Sequence, residues 1–545
     1  MASDSVDDLR SRLKELGYLT HGVERWFALD PWSSRTFWQE LLLVAAKAGV
    51  LVAPFAALPM IAAMIVRNRP VPLAPSAFLA AAYLALAFAV IVALVILTAL
   101  ALKARATAAI DRPLLLTGIA LALSIVVSIG IAVWWSGFPD PPSAAEAIIV
   151  AVLVLLLAAA GTVVFSAAIL SFSVHEARQV PAVARSSRSL PILVGGAAMI
   201  LLTLGATRIG TPQPRRERPQ QIVVAPTDAR IALLAVDGLT WNLFEAQSAL
   251  RGSFASGRAL RFPPSVSAAE RWATAGTGTP RELHQVRSVE SLRLPVGNRV
   301  LQEVSRFEPL AGEAARALGV RRQPLPNAIR ERDYVWEILA ARGIPVVAVN
   351  WWVTVSSDAG ALGAVSQEEI FGSSPGSDPA ARALAIDRRA LEALLSGVDA
   401  KPARLATAYL PALDILMNRL DIPQERKVAL AVQALDRIAA AVAALRAKGF
   451  EVILAGSPPE GAGGTGVLTA TFAMVPATPW IDDLAPTLLD LFGFPASREM
   501  SGESLLPGSS QARVESFGSR TSPPLHGPVD RSEYHDALRS LGYVR

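Results

Sequence analysis

The stretch that decides the fold begins with IALLAVDGLTW at residues 231–241 and continues with FPPSVSAAERWATAGTGTPRELH at residues 262–284. The first run is apolar and ends in Asp237-Gly238, which is typical of a buried strand that delivers a carboxylate at its carboxyl end. The second run is a hydroxyl-rich loop that leads into a helix. Ligands of open α/β sheets bind beyond the carboxyl ends of the strands, so this stretch predicts a site around Asp237.

The chain beyond residue 229 alternates predicted strands with predicted helices. The strands fall at 231–236, 345–350, 404–409 and 450–455, and the helices at 327–342, 387–395 and 424–448. This alternation predicts an α/β domain with a mostly parallel sheet covered by helices on both faces. We place the domain at 229–507 and a polar C-terminal tail, ending in a short amphipathic segment, at 508–545.

The chain upstream of this domain is dominated by apolar runs. We predict five transmembrane helices, because each run reaches the ~18–20 residues that cross a bilayer core; the runs are 40–66, 77–102, 114–135, 147–171 and 190–207. Lys47, Pro54 and Pro59 interrupt the first run, whereas the other four contain no Asp, Glu, Lys, Arg or His. The sequence thus predicts an N-terminal segment at 1–39, a membrane α-helical bundle at 40–207, and a Pro- and Arg-rich linker at 208–228.

The distribution of Lys and Arg predicts the orientation of these spans. Eleven of these residues fall in the flanking segments on the side of the N-terminus, and six fall on the other side. The positive-inside rule therefore predicts a multi-pass cell-membrane protein with a cytoplasmic N-terminus and an extracytoplasmic C-terminal domain. Transporters keep ionisable groups within the bilayer, and only Lys47 lies well inside a span, so we favour anchoring over transport.

Composition narrows the possible partners. The chain has 545 residues, 52% of them hydrophobic, and no cysteine, which excludes disulfides and thiolate metal sites. The net charge of +5 is small for this length, and no basic stripe interleaved with aromatic residues is present. We therefore expect no nucleic-acid partner. The expected partners are the lipid bilayer and a membrane or envelope protein.

Several ordered motifs resemble the alkaline phosphatase superfamily, in its type I phosphodiesterase/nucleotide pyrophosphatase branch, which also shares the sulfatase-like fold. The resemblance covers roughly residues 229–545, and its motifs are DG at 237–238, PPS at 263–265, WAT at 272–274, TG at 277–278, PRELH at 280–284, LAPTLLDLFGFP at 484–495, MSG at 500–502 and LRSLGY at 538–543. It implies an alkaline-phosphatase-like α/β fold. Family members cleave phosphate or sulfate esters, and this branch uses two metal ions, usually zinc, with a Ser or Thr nucleophile.

The resemblance assigns roles position by position. Asp237 stands at the family's first metal-binding Asp, and Asp414 stands in the block YLPALD that carries the second-site Asp. The nucleophile position falls on Ala268, which has no side-chain oxygen; Ser267 and Ser265 are the neighbouring hydroxyls. Residues 267–270 also spell SAAE, a capping box, which favours a helix N-cap over a nucleophile for Ser267.

Most of the other metal ligands that the resemblance implies are missing. The expected His after Asp414 is Asn418, and the family's Ser-Asp-His-Gly is replaced by GSPPEG at 456–461, where only Glu460 could bind a metal. The chain has five His residues, and they cannot supply three zinc ligands at family spacing: His21, His175, His284, His526 and His535. Asp237 and Asp414 also admit an ordinary structural role, since each could begin a helix as its N-cap.

Two function classes remain. We favour a membrane-anchored, catalytically degenerate protein that has no cofactor and binds a ligand or a partner protein in the cell envelope. The alternative is an active metal-dependent phosphodiesterase or phosphotransferase with an altered site. In that case a divalent ion, zinc or manganese, would bind at Asp237 and Asp414, and Ser265 or Ser267 would be the nucleophile.

Overall fold

The computed structural model divides the chain into two compact units. Met1–Gln213 and Leu292–Arg321 form the first, which we call the helical unit; Pro214–Ser291 and Arg322–Arg545 form the second, the α/β unit. The structure describes residues 27, 36–68, 71–103, 113–138, 143–176, 222, 224, 227–263, 266–297, 300–373, 378–460, 465–475, 478–509, 512–520 and 531–544.

Four long apolar helices precede the α/β unit, and they coincide with the first four predicted spans. They are α1 (Phe37–Arg67), α2 (Leu73–Lys103), α3 (Pro113–Ser136) and α4 (Ala144–Glu176). Each is long and apolar enough to cross a membrane. The fifth predicted span, 190–207, lies outside the described residues.

Helix α1 is the most enclosed of the four. It continues through Pro54 and Pro59, and the Thr36 hydroxyl caps its first turn. Gly49 allows close approach of α2, because a Cβ there would lie 2.7 Å from the Phe88 ring. By contrast, α2 and α4 expose large apolar side chains such as Leu97 and Leu155. This is the pattern of helices that face lipid on their outer surface.

The segment Leu292–Arg321, which we call the docking segment, shares one hydrophobic core with the ends of these helices. It contains strand β4 (Val300–Leu301) and helix α9 (Glu313–Ala317). Its buried residues Leu292, Leu301 and Leu310 pack in the same cluster as Met64 of α1 and Tyr83 of α2. The segment thus belongs with the helices in space although it lies far from them in sequence.

Polar contacts fix the docking segment on the helix ends. The Asn68 side chain accepts hydrogen bonds from the backbone N–H of Gln302 (2.8 Å) and Glu303 (3.0 Å), and it donates to the Glu303 carbonyl (2.8 Å). The buried Glu308 carboxylate accepts from the Tyr83 hydroxyl (2.8 Å) and from Trp134 Nε1 (3.0 Å). Buried polar groups require such partners, so these contacts specify one seating of the segment.

The α/β unit is built on a seven-stranded sheet in the order β2-β10-β9-β1-β8-β6-β7. Strands β9, β1, β8, β6 and β7 run parallel, and β10 is antiparallel to both of its neighbours. The sheet is thus mostly parallel, as the alternation of strands and helices in the sequence predicts. The strands are β1 (Ile231–Asp237), β2 (Ser256–Leu260), β6 (Val346–Val349), β7 (Leu362–Val365), β8 (Leu405–Leu410), β9 (Glu451–Ser457) and β10 (Gly466–Ala470). Small sheets join β3 (Glu290–Arg293), β4 and β5 (Arg321–Pro324), and β11 (Ala496–Ser497) with β12 (Arg513–Val514).

Helices of the α/β unit pack on this sheet and around its edges. They are α5 (Trp241–Ala246), α6 (Ser248–Arg251), α7 (Ala268–Thr277), α8 (Arg281–His284), α10 (Val335–Ala340), α11 (Gln367–Gly372), α12 (Pro379–Ala400), α13 (Ala412–Asp414), α14 (Gln424–Ala447), α15 (Leu484–Leu491) and α16 (Ser532–Ser540). The predicted helix at 327–342 is shorter than expected. It is a 3₁₀ turn at Asn327–Ile329 followed by α10.

Helix α14 is also long and apolar enough to cross a membrane, which brings the candidates among the described residues to five. Its buried residues, however, recur at helical spacing, as in Ala431, Leu435, Ile438 and Val442. It packs against α12 and β9. One apolar face on a sheet and one polar face are the pattern of a surface helix of a globular domain, so we assign α14 to the α/β unit.

Candidate functional site

Three adjacent parallel strands bring the candidate residues to one edge of the sheet. In the register of β1 and β9, Asp237 pairs with Ser457, and in that of β1 and β8, Val236 pairs with Leu410. The chain turns sharply after β1 at Gly238, whose φ is +84°. A Cβ at this position would lie 2.6 Å from the backbone of Asp414, so only glycine permits the approach that brings the two Asp residues together.

The Asp237 carboxylate is buried and surrounded by donors. Arg271 Nη1 lies 3.3 Å from its Oδ1, the Tyr409 hydroxyl donates to its Oδ2 at 3.0 Å, and Trp272 Nε1 donates at 3.4 Å. The Ser457 hydroxyl donates to Oδ1 as well and receives a hydrogen bond from Arg271 Nη1 (2.7 Å). The guanidinium, 4% exposed, thus lies directly between Asp237 and the end of β9.

The Asp414 carboxylate, 2% exposed at its side chain, has an arginine of its own. Arg419 Nε lies 2.5 Å from Oδ2, and Asn418 Nδ2 donates to Oδ1 at 3.0 Å. Burial and the nearby charge of Asp237 raise the pKa of Asp414, and the Arg419 guanidinium opposes that shift. Arg419 also pairs with Glu460 at 3.0 Å. Glu460, the one potential ligand in the replaced motif, therefore joins the same ion-pair cluster.

The C-terminal motif LRSLGY closes this edge of the sheet. The Tyr543 hydroxyl lies 3.2 Å from that of Tyr409, and the Arg419 guanidinium stacks over the Tyr543 ring at 4.0 Å. Gly542, at φ +77°, lets the backbone approach Arg419. Burial raises the pKa of Tyr543 far above its usual range; the Arg419 guanidinium opposes this shift, and the charges of Asp237 and Asp414 add to it. This hydroxyl therefore remains protonated and serves as a hydrogen-bonding group.

Neither hydroxyl near the nucleophile position is placed by the structure as a free nucleophile among the described residues. Ser267 is the N-cap of α7: its Oγ accepts from the Glu270 N–H (3.1 Å) and donates to the Arg287 carbonyl (3.0 Å). The bond from Glu270 confirms the predicted N-cap, and with the bond to Arg287 the hydroxyl both accepts and donates. Ala268 is the first residue of α7 and fully buried. Ser265 lies outside the described residues.

Neither Asp237 nor Asp414 caps a helix with its side chain. The N-cap of α5 is Thr240, whose hydroxyl accepts from Leu243 N. Asp414 does occupy the N-cap position of a π-helical turn, Ile415–Arg419, but its side chain makes no capping hydrogen bond there. Both carboxylates instead accept hydrogen bonds from side chains of neighbouring elements.

Two further buried titratable groups lie in the α/β unit. His284 donates from Nε2 to Thr274 Oγ1 (3.0 Å), because its Nδ1 accepts from Val286 N (3.1 Å). Burial and then the nearby arginines lower its pKa to about 3, so it is neutral. Asp387 of α12 accepts from Ala412 N at 3.1 Å, and its Oδ2 has no partner among the described residues. Burial, with a contribution from Asp237, raises its pKa to about 8.

These donors do not fit the two-metal site that the resemblance implies. In the described part of the chain, no group of three or more His, Cys, Asp or Glu side chains converges as metal ligands would. Zinc sites need three or four such ligands. Asp237 and Asp414 are instead each paired with an arginine, and the positive charge of that guanidinium disfavours a metal ion on the same carboxylate.

Sequence reasoning did not find the two arginines, Ser457 or the two tyrosines. Arg271 follows Glu270 on a short helix, and Arg419 follows Asn418 beyond β8. An arginine in an exposed ion pair would have the same neighbours in sequence, so these neighbours do not indicate that either guanidinium is buried against an Asp. The only available signal for Tyr543 was the LRSLGY motif itself, which indicated the family but not a contact with Asp237.

Comparison with known proteins gives partial likenesses in structure alone. No family model and no curated protein matches the chain. It is similar to an inactive variant of murine ectonucleotide pyrophosphatase/phosphodiesterase 5 in complex with AMP, at 11% identity and a TM-score of 0.29, over 42% of this chain and 56% of that one. It is also similar to phosphonoacetate hydrolase from Sinorhizobium meliloti 1021 in complex with phosphonoformate, at 12% identity and a TM-score of 0.31, over 43% and 58%. The chain thus spans less than two thirds of either protein.

Proposed function

We propose that this chain is a membrane-anchored, alkaline-phosphatase-like protein whose α/β unit is catalytically degenerate and binds a ligand or a partner protein in the cell envelope. The observation that carries the proposal is the pairing of Arg271 with Asp237 and of Arg419 with Asp414. Two guanidinium groups supply the positive charge that the family resemblance would assign to two metal ions.

The electrostatics favour this assignment. A buried carboxylate needs a compensating charge or several donors, and each of the two Asp residues has both. Adding a divalent ion beside Arg271 would place like charges in contact inside a low-dielectric site. Metal binding would therefore require the arginine to leave, together with its bonds to Ser457 and to the Pro458 carbonyl.

The proposed topology places the N-terminus in the cytoplasm and the α/β unit outside. The position of the docking segment supports one part of this topology, the presence of a further crossing after α4. The segment contacts the chain at Asn68, between α1 and α2, and at Trp134, near the end of α3, so it lies on the same side of the helices as these two connections. The end of α4 at Glu176 faces the opposite side. An odd number of crossings must then separate Glu176 from the docking segment, and the apolar run 190–207 would supply one.

The alternative function is an active metal-dependent phosphodiesterase or phosphotransferase with an altered site. Asp414 and Glu460 favour it slightly, because both contact Arg419 and both could turn toward a divalent ion if that arginine moved. Ser265 or Ser267 would then be the nucleophile. The full bonding of the Ser267 hydroxyl argues against that residue.

Hydrolysis of bis-p-nitrophenyl phosphate by the full-length protein in detergent, with added zinc or manganese, separates the two functions. The degenerate protein shows no turnover above that of an Asp237→Asn variant. Turnover that is lost in Asp237→Asn, with unchanged circular dichroism, would contradict the proposal and establish the enzyme.

A further inference from the structure

The docking segment has exposed apolar side chains that do not pack in the hydrophobic core it shares with the helix ends. Val296 is 37% exposed, Phe307 is 46% exposed and Leu318 is 60% exposed. Most residues of the same segment that are equally apolar, such as Leu292 and Leu310, are buried. Large apolar residues indicate a further partner where they are exposed together on one surface.

These residues lie at the ends of the apolar helices. A Cβ on Gly137, the residue after α3, would lie 2.8 Å from the Phe307 ring, and one on Gly297 would lie 2.9 Å from Pro75 in the first turn of α2. Leu318 and Val296 lie near each other, because a Cβ on Gly319, the residue after Leu318, would lie 3.1 Å from Pro295, the residue before Val296. The exposed apolar residues of the docking segment therefore lie at the same height as the end of α3 and the start of α2.

That level has the features of a membrane interface. Trp134 and Phe138 lie at the end of α3, and Arg67, at the end of α1, stacks on the Phe138 ring at 4.5 Å; all three are buried and mark the level of the helix ends from inside the helical unit. The outward apolar surface of the helices begins here too, with Val133 of α3 at 48% and Ile148 of α4 at 65% exposed. Aromatic and basic residues are favoured at the boundary between acyl chains and headgroups.

Most of the exposed charges of the docking segment are positive. Glu303 and Glu308 are buried and turned toward the helices, whereas Arg306, Arg316 and Arg321 are exposed together with one carboxylate, Glu313. The Arg306 guanidinium lies over the Phe307 ring at 4.6 Å. The exposed surface thus combines apolar side chains with positive charge, which complements lipid acyl chains and phosphates.

We propose that the docking segment is a second membrane-contact site. Val296, Phe307 and Leu318 enter the boundary between headgroups and acyl chains, and Arg306 and Arg316 bind lipid phosphates. The proposal rests on α1–α4 spanning the bilayer, but it does not depend on whether the α/β unit is catalytic. It assigns the segment a shallow depth, beside the helix ends and not within the bilayer core.

The absence of cysteine from the sequence makes the test direct. A single Phe307→Cys substitution is labelled with the fluorophore NBD in the full-length protein reconstituted into phosphatidylcholine/phosphatidylglycerol vesicles. Leu318→Cys serves as a second probe in case the first variant does not fold. Leu155→Cys, about 16 Å from the start of α4, is the deep control, and Val428→Cys, equally apolar and 50% exposed on α14, is the control for an exposed position of the α/β unit.

We expect blue-shifted emission at 307 that is quenched more by a nitroxide near the headgroup than by one deep in the acyl chain, with the reverse order at 155. Emission and quenching at 307 that match those at 428 would overturn the proposal. A blue shift without quenching by either lipid would mean that protein covers Phe307, which overturns it as well. Lack of quenching at 155 would instead refute the membrane assignment of α4.

Discussion

Replacement of Arg271 by methionine would remove the guanidinium beside Asp237 while keeping the apolar part of the side chain. The two side chains are 4% and 1% exposed and approach to 3.3 Å. The variant leaves a buried carboxylate that still accepts hydrogen bonds from Tyr409, Trp272 and Ser457. It also leaves the Pro458 carbonyl without this donor.

The expected loss is large. Breaking a buried ion pair by removing one partner costs about 3–5 kcal/mol, and the three remaining donors place Arg271→Met near the lower end, at ~3 kcal/mol. Since 1.4 kcal/mol corresponds to a factor of ten, the folding equilibrium would change by roughly a hundredfold. We expect the free energy of unfolding to fall by this amount without a change in the denaturant dependence.

The assay is urea unfolding of the full-length protein in detergent, followed by tryptophan fluorescence. Arg388→Met is the matched control. Arg388 pairs with Glu392 at 3.1 Å on α12, but the two side chains are 49% and 60% exposed. Such an exposed pair contributes about 0.3–0.5 kcal/mol. If Arg271→Met destabilised the protein no more than Arg388→Met, the guanidinium would not be compensating Asp237, and the central electrostatic argument would fail.

Three further predictions address the hydroxyl, the buried acid and the docking segment. Ser267→Ala should lower the free energy of unfolding by ~1 kcal/mol through loss of the N-cap of α7, with no effect on any phosphodiester cleavage. Asp387 holds a proton in the folded state up to about pH 8 that the unfolded chain releases near pH 4, so stability falls as pH rises between these values, by up to about 1.4 kcal/mol per unit. Asp387→Asn should abolish that part of the fall when unfolding is measured from pH 5 to 7. Cysteines at Asn68 and Glu303 should form an intrachain cross-link with a short bismaleimide, detected by peptide mass spectrometry.

Each of these predictions has an outcome that refutes it. For Ser267→Ala, loss of phosphodiester turnover at unchanged stability would identify a nucleophile. For Asp387→Asn, an unchanged pH dependence would show that the wild-type side chain is ionised. For Asn68 and Glu303, the single-cysteine variants are the controls, and a cross-link no more frequent than background would mean that the docking segment does not sit on the helix ends.

Much of the fold was predictable, because it rests on patterns that are local in sequence. Strand β1 and four apolar helices lie where apolar runs of the right length predict them, and the mostly parallel sheet follows from the alternation of strands and helices. The docking segment was not predictable. Its partners, Asn68 and Tyr83, are more than 200 residues away, and no periodicity links such distant positions.

The candidate site likewise has residues that the sequence predicts and residues that it does not. Asp237 was identified as the carboxylate at the end of β1, and Asp414 by the family resemblance of the block YLPALD at the end of β8; the sheet register does bring the two to one edge. Their arginine partners were not, since the sequence of a buried Arg on a short helix does not differ from that of an exposed one. The capping role of Ser267 was predictable because it depends on four consecutive residues, whereas the contact of Tyr543 with Tyr409 depends on the folded sheet.

The most direct test of the account is the metal content of the full-length protein, purified without chelators and measured by elemental analysis for zinc and manganese. We predict far less than one metal ion per chain, unchanged in Asp237→Asn, because guanidinium groups already neutralise both carboxylates. One or two ions per chain in the wild type, lost in Asp237→Asn, would show that Arg271 and Arg419 yield to metal and would contradict the central claim.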